Sequence, residues 1–275
     1  MLRRLQFFFL LLTVYVSRAQ VYMDNRLHDR HFLVEVKQID EFIERFNDEP
    51  SSFLRRNIRR YYPKIKVTRP LLLPALFDTA TTAIRANDLQ EFVTQVTDRH
   101  HPSYLNFKRD SWYAEVRCNV QYRHRDIELT LLLKVRPMPG PSSEWAIYAA
   151  ECPALGPSAG NPIIPYPKDS TRFFSPMCHA TDFMCLGDVF DDPDDLRDFL
   201  SPAYRADSQT RAFLHALLNK ELTWLGVRTV RYYFQQVRGW VFVVEHVDRP
   251  NSLLSGWLIR DLHKRRTPLP LKKIY

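Results

Sequence analysis

The sequence predicts an α+β protein in which helices pack on curved antiparallel sheets. Hydrophobic residues recur at helical spacing before residue 97 and alternate with polar residues after residue 112. Trp112 and Trp145 are followed, at one constant offset, by Trp224 and Trp257. Each tryptophan pair brackets two strand-like runs and closes on a third. These observations favour one α+β plan used twice, as two tandem cone-like domains.

Residues 1–19 have the features of a secretory signal peptide. A basic start precedes the apolar run Leu5–Val16, and Ser17–Ala19 is a small-x-small cleavage site. The apolar run is shorter than the roughly 20 residues that span a bilayer. We therefore expect export, a mature chain from Gln20, and no stable membrane span after cleavage.

Composition sets the domain organisation and excludes some classes of function. The 275 residues include seven glycines, which argues against Gly-rich phosphate-binding loops, and carry a formal net charge of +8. That charge permits contact with anionic surfaces, but export argues against a nucleic-acid partner. We expect domains at residues 20–152 and 182–263, a Pro-rich crossing at 153–181, and a basic tail at 264–275.

Three helices are predicted in the first half. Apolar residues at helical spacing indicate an amphipathic helix from about His28 to Asn47. Ser51 or Ser52 can cap a second helix that ends before Pro63. A third helix begins near Asn87 or Asp88.

Three strands follow these helices. Residues 112–122, 127–135 and 145–149 each show apolar alternation, and the turn at 124–126 joins the first two. Helices followed by this antiparallel meander predict an α+β domain.

The second half repeats this plan with fewer helices. Pro193 among aspartates predicts a helix start, and Ser208 can cap a longer helix. Strands are predicted at 230–234, 240–247 and 257–262. The strand runs of the two halves superpose without gaps, with Tyr122 on Phe234. The match indicates either a duplication or simply two meanders.

Helices followed by a curved antiparallel sheet with large aromatics on its strands resemble the nuclear transport factor 2-like and cystatin-like cone folds. The stretches Val36–Asn47 and Ser255–Ile259 are similar to segments of secreted proteins from Gram-negative gut bacteria. These are core residues rather than a catalytic signature, and such families include enzymes, binding modules and envelope assembly parts. The resemblance implies a fold and an exported location in a Gram-negative bacterium, in the periplasm or at the cell surface.

The four cysteines all lie beyond the signal segment, where an oxidising compartment permits disulfides. We predict a disulfide between Cys178 and Cys185, because the spacing is wide for a zinc site and a second half-site is missing. Cys118 and Cys152 are either buried thiols or a second disulfide.

Two clusters resemble metal sites, but each has a simpler interpretation. His28 and His31, with Glu35, can be metal ligands or residues at a helix start. The aspartates between 188 and 198 can bind calcium, but Pro193 breaks an EF-type pattern and an acid-rich helix N-terminus explains them. We therefore expect no metal and no cofactor.

The polar side of the first strand is the candidate ligand-binding site, formed by Glu115, Arg117, Gln121 and Arg123. The alternative is that these residues simply face solvent. No nucleophile elbow, zinc-protease motif, phosphate loop or dinucleotide fingerprint occurs. We therefore expect a non-enzymatic binding or envelope-associated protein, whose partner is an envelope protein or a small ligand. The alternatives are a pocket-based hydrolase or isomerase of the cone fold, and a structural component of an envelope assembly.

Overall fold

The computed structural model describes residues 36–61, 63–64, 66–80, 84–138, 143–165, 172–249 and 255–265. The signal segment, the histidine pair at 28 and 31, Glu35 and the tail from residue 266 lie outside these ranges. Within the described ranges, no helix combines the length and apolarity that crossing a membrane requires.

Among the described residues, four helices precede the first strand: α1 (Ile39–Asn47), α2 (Phe53–Tyr61), α3 (Arg69–Leu72) and α4 (Ala86–Val96). The sequence predicted α1, α2 and α4, but it extended α1 too far toward the N-terminus.

Residues 36–38 are not helical because Val36 pairs with the sheet. Val36 forms a parallel bridge with Gly256, and its carbonyl accepts the Trp257 N–H at 2.9 Å. Gly256 has φ +95, and a Cβ there would lie 2.5 Å from the Val36 carbonyl oxygen. Glycine is therefore required where the segment just before α1 pairs with the start of the last strand.

The strands form one antiparallel sheet: β1 (Trp112–Tyr122), β2 (Arg125–Pro137), β3 (Ser143–Glu151), β4 (Leu222–Phe234), β5 (Trp240–Val247) and β6 (Gly256–Lys264). The strand order is β3-β2-β1-β4-β5-β6. β4 begins earlier than predicted, because Gly226 and register shifts against β1 interrupt its alternation.

The sheet order is symmetric about the β1–β4 pair, so each half contributes one three-stranded meander. The tryptophan offset maps β1 onto β4, β2 onto β5 and β3 onto β6. The α+β class is confirmed. Two tandem cone-like domains are not confirmed, because the meanders join through their first strands in one open sheet with a shared core.

The described part of the connection between the meanders contains three helices: α5 (Gly187–Asp191), α6 (Leu196–Phe199) and α7 (Ser208–Leu218). Asp207, rather than Ser208, caps α7, because its carboxylate accepts the Thr210 N–H at 2.8 Å. The predicted helix start at Pro193 is a short 3-10 turn that leads into α6. The Thr210 hydroxyl donates to the Ala150 carbonyl, which joins α7 to the edge strand β3.

The aromatic core lies on one face of the sheet and connects both halves. Trp112 stacks on Phe234 at 5.0 Å, and Trp145 packs edge-on against Trp112 at 5.2 Å. Trp257 contacts Tyr232 at 4.9 Å. Trp112 and Trp257 are both buried in this core.

Candidate binding surface on the second sheet face

The second face of the sheet lies opposite the aromatic core. Because side chains alternate along a strand, Trp112 and Ala114 point to the core, whereas Tyr113, Glu115 and Arg117 point to the second face. A small apolar cluster on this face consists of the strand residues Tyr113, Leu132, Ala149, Tyr233 and Val243.

Charges of alternating sign cross four strands on this face. Glu115 on β1 lies opposite Arg231 on β4, which lies opposite Glu245 on β5. Arg231 Nε is 2.8 Å from Glu245 Oε1, and Arg260 Nη1 on β6 is 3.3 Å from Glu245 Oε2. Arg117 Nε donates to Glu115 Oε1 at 3.1 Å. We call Arg117, Arg231 and Arg260 the arginine row.

The carboxylates of this network lie deeper than the guanidinium groups. The Glu115 side chain is 1 % exposed and that of Glu245 is 14 % exposed, whereas the arginine row is 35 % to 39 % exposed. A buried carboxylate next to a guanidinium group compensates the positive charge of that group and orients the planar guanidinium fork. The face therefore presents positioned N–H donors to solvent.

Two tyrosines adjoin the arginine row. The rings of Tyr113 and Tyr233 stack at 4.8 Å with an interplanar angle of 2°. The Tyr233 hydroxyl donates to Glu115 Oε2 at 3.2 Å. Burial, followed by nearby negative charge, raises the pKa of both phenols. Both tyrosines therefore remain neutral hydrogen-bond donors at physiological pH.

The network continues to a fully buried carboxylate. Asp78 is 0 % exposed, and its carboxylate lies 3.4 Å from Arg260 Nε and binds Arg249. The Asp78 N–H donates to the Ile259 carbonyl at 2.9 Å. The segment that follows α3 thus pairs with β6, and its Asp78 holds Arg260 at one end of the arginine row.

The structure brings two of the four predicted ligand-binding residues into this network. Glu115 and Arg117 belong to it, but Gln121 lies near the strand end, with its amide 3.4 Å from Asp126. Arg123 lies in the β1–β2 turn, where its guanidinium is 3.4 Å from Glu221.

Sequence reasoning missed Arg231, Glu245 and Arg260. The alternation of Arg231 and Tyr233 with the core residues Tyr232 and Phe234 was a usable signal for the second face. Pairing between β1 and β4 joins residues more than a hundred positions apart, and alternation does not specify that register.

A histidine–carboxylate pair occurs elsewhere, between the crossing and α1. His179 Nε2 is 3.0 Å from Asp40 Oδ2, and the Trp145 indole N–H lies 3.3 Å from His179 Nδ1. An indole N–H only donates, so Nδ1 accepts and the ring proton resides on Nε2, directed at Asp40. Both ring nitrogens are engaged and the side chain is 1 % exposed. The pair joins the crossing to α1 and leaves no nitrogen for a substrate proton.

The predicted disulfide is present. Cys178 and Cys185 are bonded, with Cα atoms 6.0 Å apart, and close the loop that contains His179. Cys118 and Cys152 are free and buried, so the buried-thiol alternative is confirmed for both. Burial raises the pKa of both thiols, which keeps them protonated and unreactive.

Among the described residues, no group of three or more His, Cys, Asp or Glu is arranged to hold a metal. Arg172 pairs with two of the aspartates for which a helix start was preferred over a calcium site, Asp192 at 3.3 Å and Asp195 at 3.2 Å. Two surface grooves, of about 810 Å³ beside α4 and about 490 Å³ beside α5, are lined by residues other than the arginine row.

No protein-family model, curated protein or solved structure matches this chain. Functional interpretation therefore depends on the geometry described above.

Proposed function

We propose that the chain is a non-enzymatic, exported binding protein of the bacterial envelope, and that the second sheet face binds an anionic ligand. The observation that carries this proposal is the layering of charge: the buried Glu115 and the mostly buried Glu245 are less exposed than the arginine row that they pair with. Guanidinium forks bind carboxylate or phosphate oxygens in pairs, so the row suits an acidic small molecule or an acidic segment of an envelope protein.

Two further features support this assignment. The Cys178–Cys185 disulfide fits an oxidising compartment such as the periplasm. The stacked Tyr113 and Tyr233 rings rigidify the strands beside the row, so a ligand would meet groups whose positions are already determined.

A hydrolase or isomerase would require an accessible acid–base pair. The Asp40–His179 pair has the distance for proton transfer, but Trp145 occupies the second ring nitrogen. The geometry of this pair therefore favours a structural role and supports the binding function over the enzymatic alternative.

The proposal is tested by thermal and urea unfolding with citrate or inorganic phosphate, against chloride at equal ionic strength. A ligand at ten times its Kd stabilises the folded state by about 1.4 kcal/mol. We expect that stabilisation in the native protein and its loss in Arg117→Gln. Arg125→Gln, at the exposed start of β2, removes the same charge and should retain the stabilisation. Equal stabilisation in both variants, or none in the native protein, would refute the proposal.

A further inference from the structure

The segment from Pro50 to Phe77 concentrates positive charge. It contains no acidic residue. Its cationic residues are Arg55, Arg56, Arg59, Arg60, Lys64, Lys66 and Arg69. The formal net charge of the whole chain is +8, so this segment holds a large share of the excess. A local excess of this kind creates a field that attracts anions.

Helix α2 lies in the first half of this segment and has two distinct faces. Leu54 and Ile58 are buried, at 5 % and 3 % exposure, and attach the helix to the protein. Phe53, Arg56 and Arg60 are spaced i, i+3 and i+7, so they follow one line along the opposite side. All three are exposed.

Internal contacts engage some of the cations and leave others at the surface. Arg55 binds Asp48, and the Arg69 guanidinium donates to the carbonyls of Phe46 and Val96. These two arginines therefore stabilise the fold. In contrast, the side chains of Arg56, Arg60, Lys64 and Lys66 are solvent-exposed.

Large apolar side chains are exposed along the same segment. Phe53 is 44 %, Tyr61 59 % and Leu71 69 % exposed, and the Arg60 guanidinium lies over the Tyr61 ring at 5.4 Å. Exposed apolar groups among cations are unfavourable in water but suit a lipid interface, where the rings enter the acyl boundary and the cations meet phosphates.

We propose that the exposed residues of α2, together with Lys64, Lys66 and Leu71, dock on an anionic phospholipid surface. Charge complementarity selects anionic over neutral lipid, because Arg56, Arg60, Lys64 and Lys66 are exposed. The segment itself contains no acidic residue, and Glu44 of α1 is an acidic neighbour of Arg56 alone among these four in the interactions described. Exposed Phe53 and Leu71 favour lipid over an acidic protein, because a purely electrostatic partner would leave them in water. This surface shares no residue with the arginine row, and it holds the protein at a membrane in the envelope.

The test is co-sedimentation of the full chain with vesicles of equal parts phosphatidylglycerol and phosphatidylcholine, compared with pure phosphatidylcholine. We expect binding to the anionic vesicles to exceed binding to the neutral ones and to weaken at high salt. Arg56→Gln with Arg60→Gln should reduce the affinity for anionic vesicles about 25-fold, since each basic residue near such a surface contributes roughly fivefold. Phe53→Ser should weaken binding at unchanged charge.

Arg125→Gln with Arg228→Gln is the matched control, because both residues are exposed strand residues outside the segment and the net charge changes equally. This control should keep native affinity, and circular dichroism should show every variant folded. Equal binding to both vesicle types overturns the proposal, as does an equal loss in control and test variants. Retention on immobilised polyglutamate without vesicle binding also overturns it and assigns the surface to an acidic protein.

Discussion

Replacing Trp112 by Ala should destabilise the protein by about 3–5 kcal/mol, the range for large buried aromatics. Trp112 is 0 % exposed, and its ring contacts Phe107 at 5.0 Å, Trp145 at 5.2 Å and Phe234 at 5.0 Å. Its indole N–H donates to the Phe107 carbonyl at 2.9 Å. Losing that bond adds about 1 kcal/mol to the cost of the cavity, which places the expected value in the upper half of the range.

The assay is urea unfolding at 25 °C, followed by far-UV circular dichroism, with the slope compared between variants. Trp224→Ala is the matched control, because Trp224 occupies the same place in the second meander but is only half-buried. Trp224 packs on Phe190 at 5.0 Å, so its removal should cost about 1–2 kcal/mol. A cost below about 1 kcal/mol for Trp112→Ala, or equal costs for both variants, would refute the central position of Trp112 in the core.

Two predictions concern the dependence of stability on pH. Burial raises the pKa of Asp207, but hydrogen bonds from Thr210 and the charge of Arg205 outweigh it, so the pKa is lowered. Asp207→Ala should lower the free energy of unfolding by about 1 kcal/mol at pH 7. The difference between native protein and variant should shrink as pH falls below about 4, where the carboxyl of the unfolded chain takes up a proton. The same difference at pH 3 in urea titrations would contradict this. Tyr113 and Tyr233 have raised pKa values, so above about pH 10 these phenols lose their protons in the unfolded chain but keep them in the folded protein. The free energy of unfolding should therefore be steady below about pH 10 and fall above that pH by about 1.4 kcal/mol per pH unit for each phenol. Replacing both tyrosines by Phe should flatten that alkaline loss in unfolding experiments, and an unchanged pH profile would argue against the assignment.

Local patterns predicted most of the individual elements. Helical periodicity located α2 and α4, and alternation located β1, β2 and β3, because both signals depend on neighbours in the chain. The disulfide was also predictable, since Cys178 and Cys185 are close in sequence. The start of α1 was not, because a bridge from Val36 to Gly256, two hundred residues later, overrides the local helical pattern.

The candidate site was predictable only in part. Alternation placed Glu115 and Arg117 on the polar side of β1, whereas Arg231 and Glu245 become their neighbours through strand pairing. The exposed line on α2 follows from helical spacing, but its separation from the engaged Arg55 and Arg69 depends on tertiary contacts.

The sequence by itself determined the α+β class, the strand runs of each meander and the aromatic character of the core, since these follow from the spacing of apolar side chains. Only the tertiary structure decided that the paired tryptophans belong to two meanders of one continuous sheet. The reason is that backbone hydrogen bonds between β1 and β4 carry no sequence code. The same pairing places Glu115 of the first half opposite Arg231 of the second and thereby brings charges from both halves together on the second face.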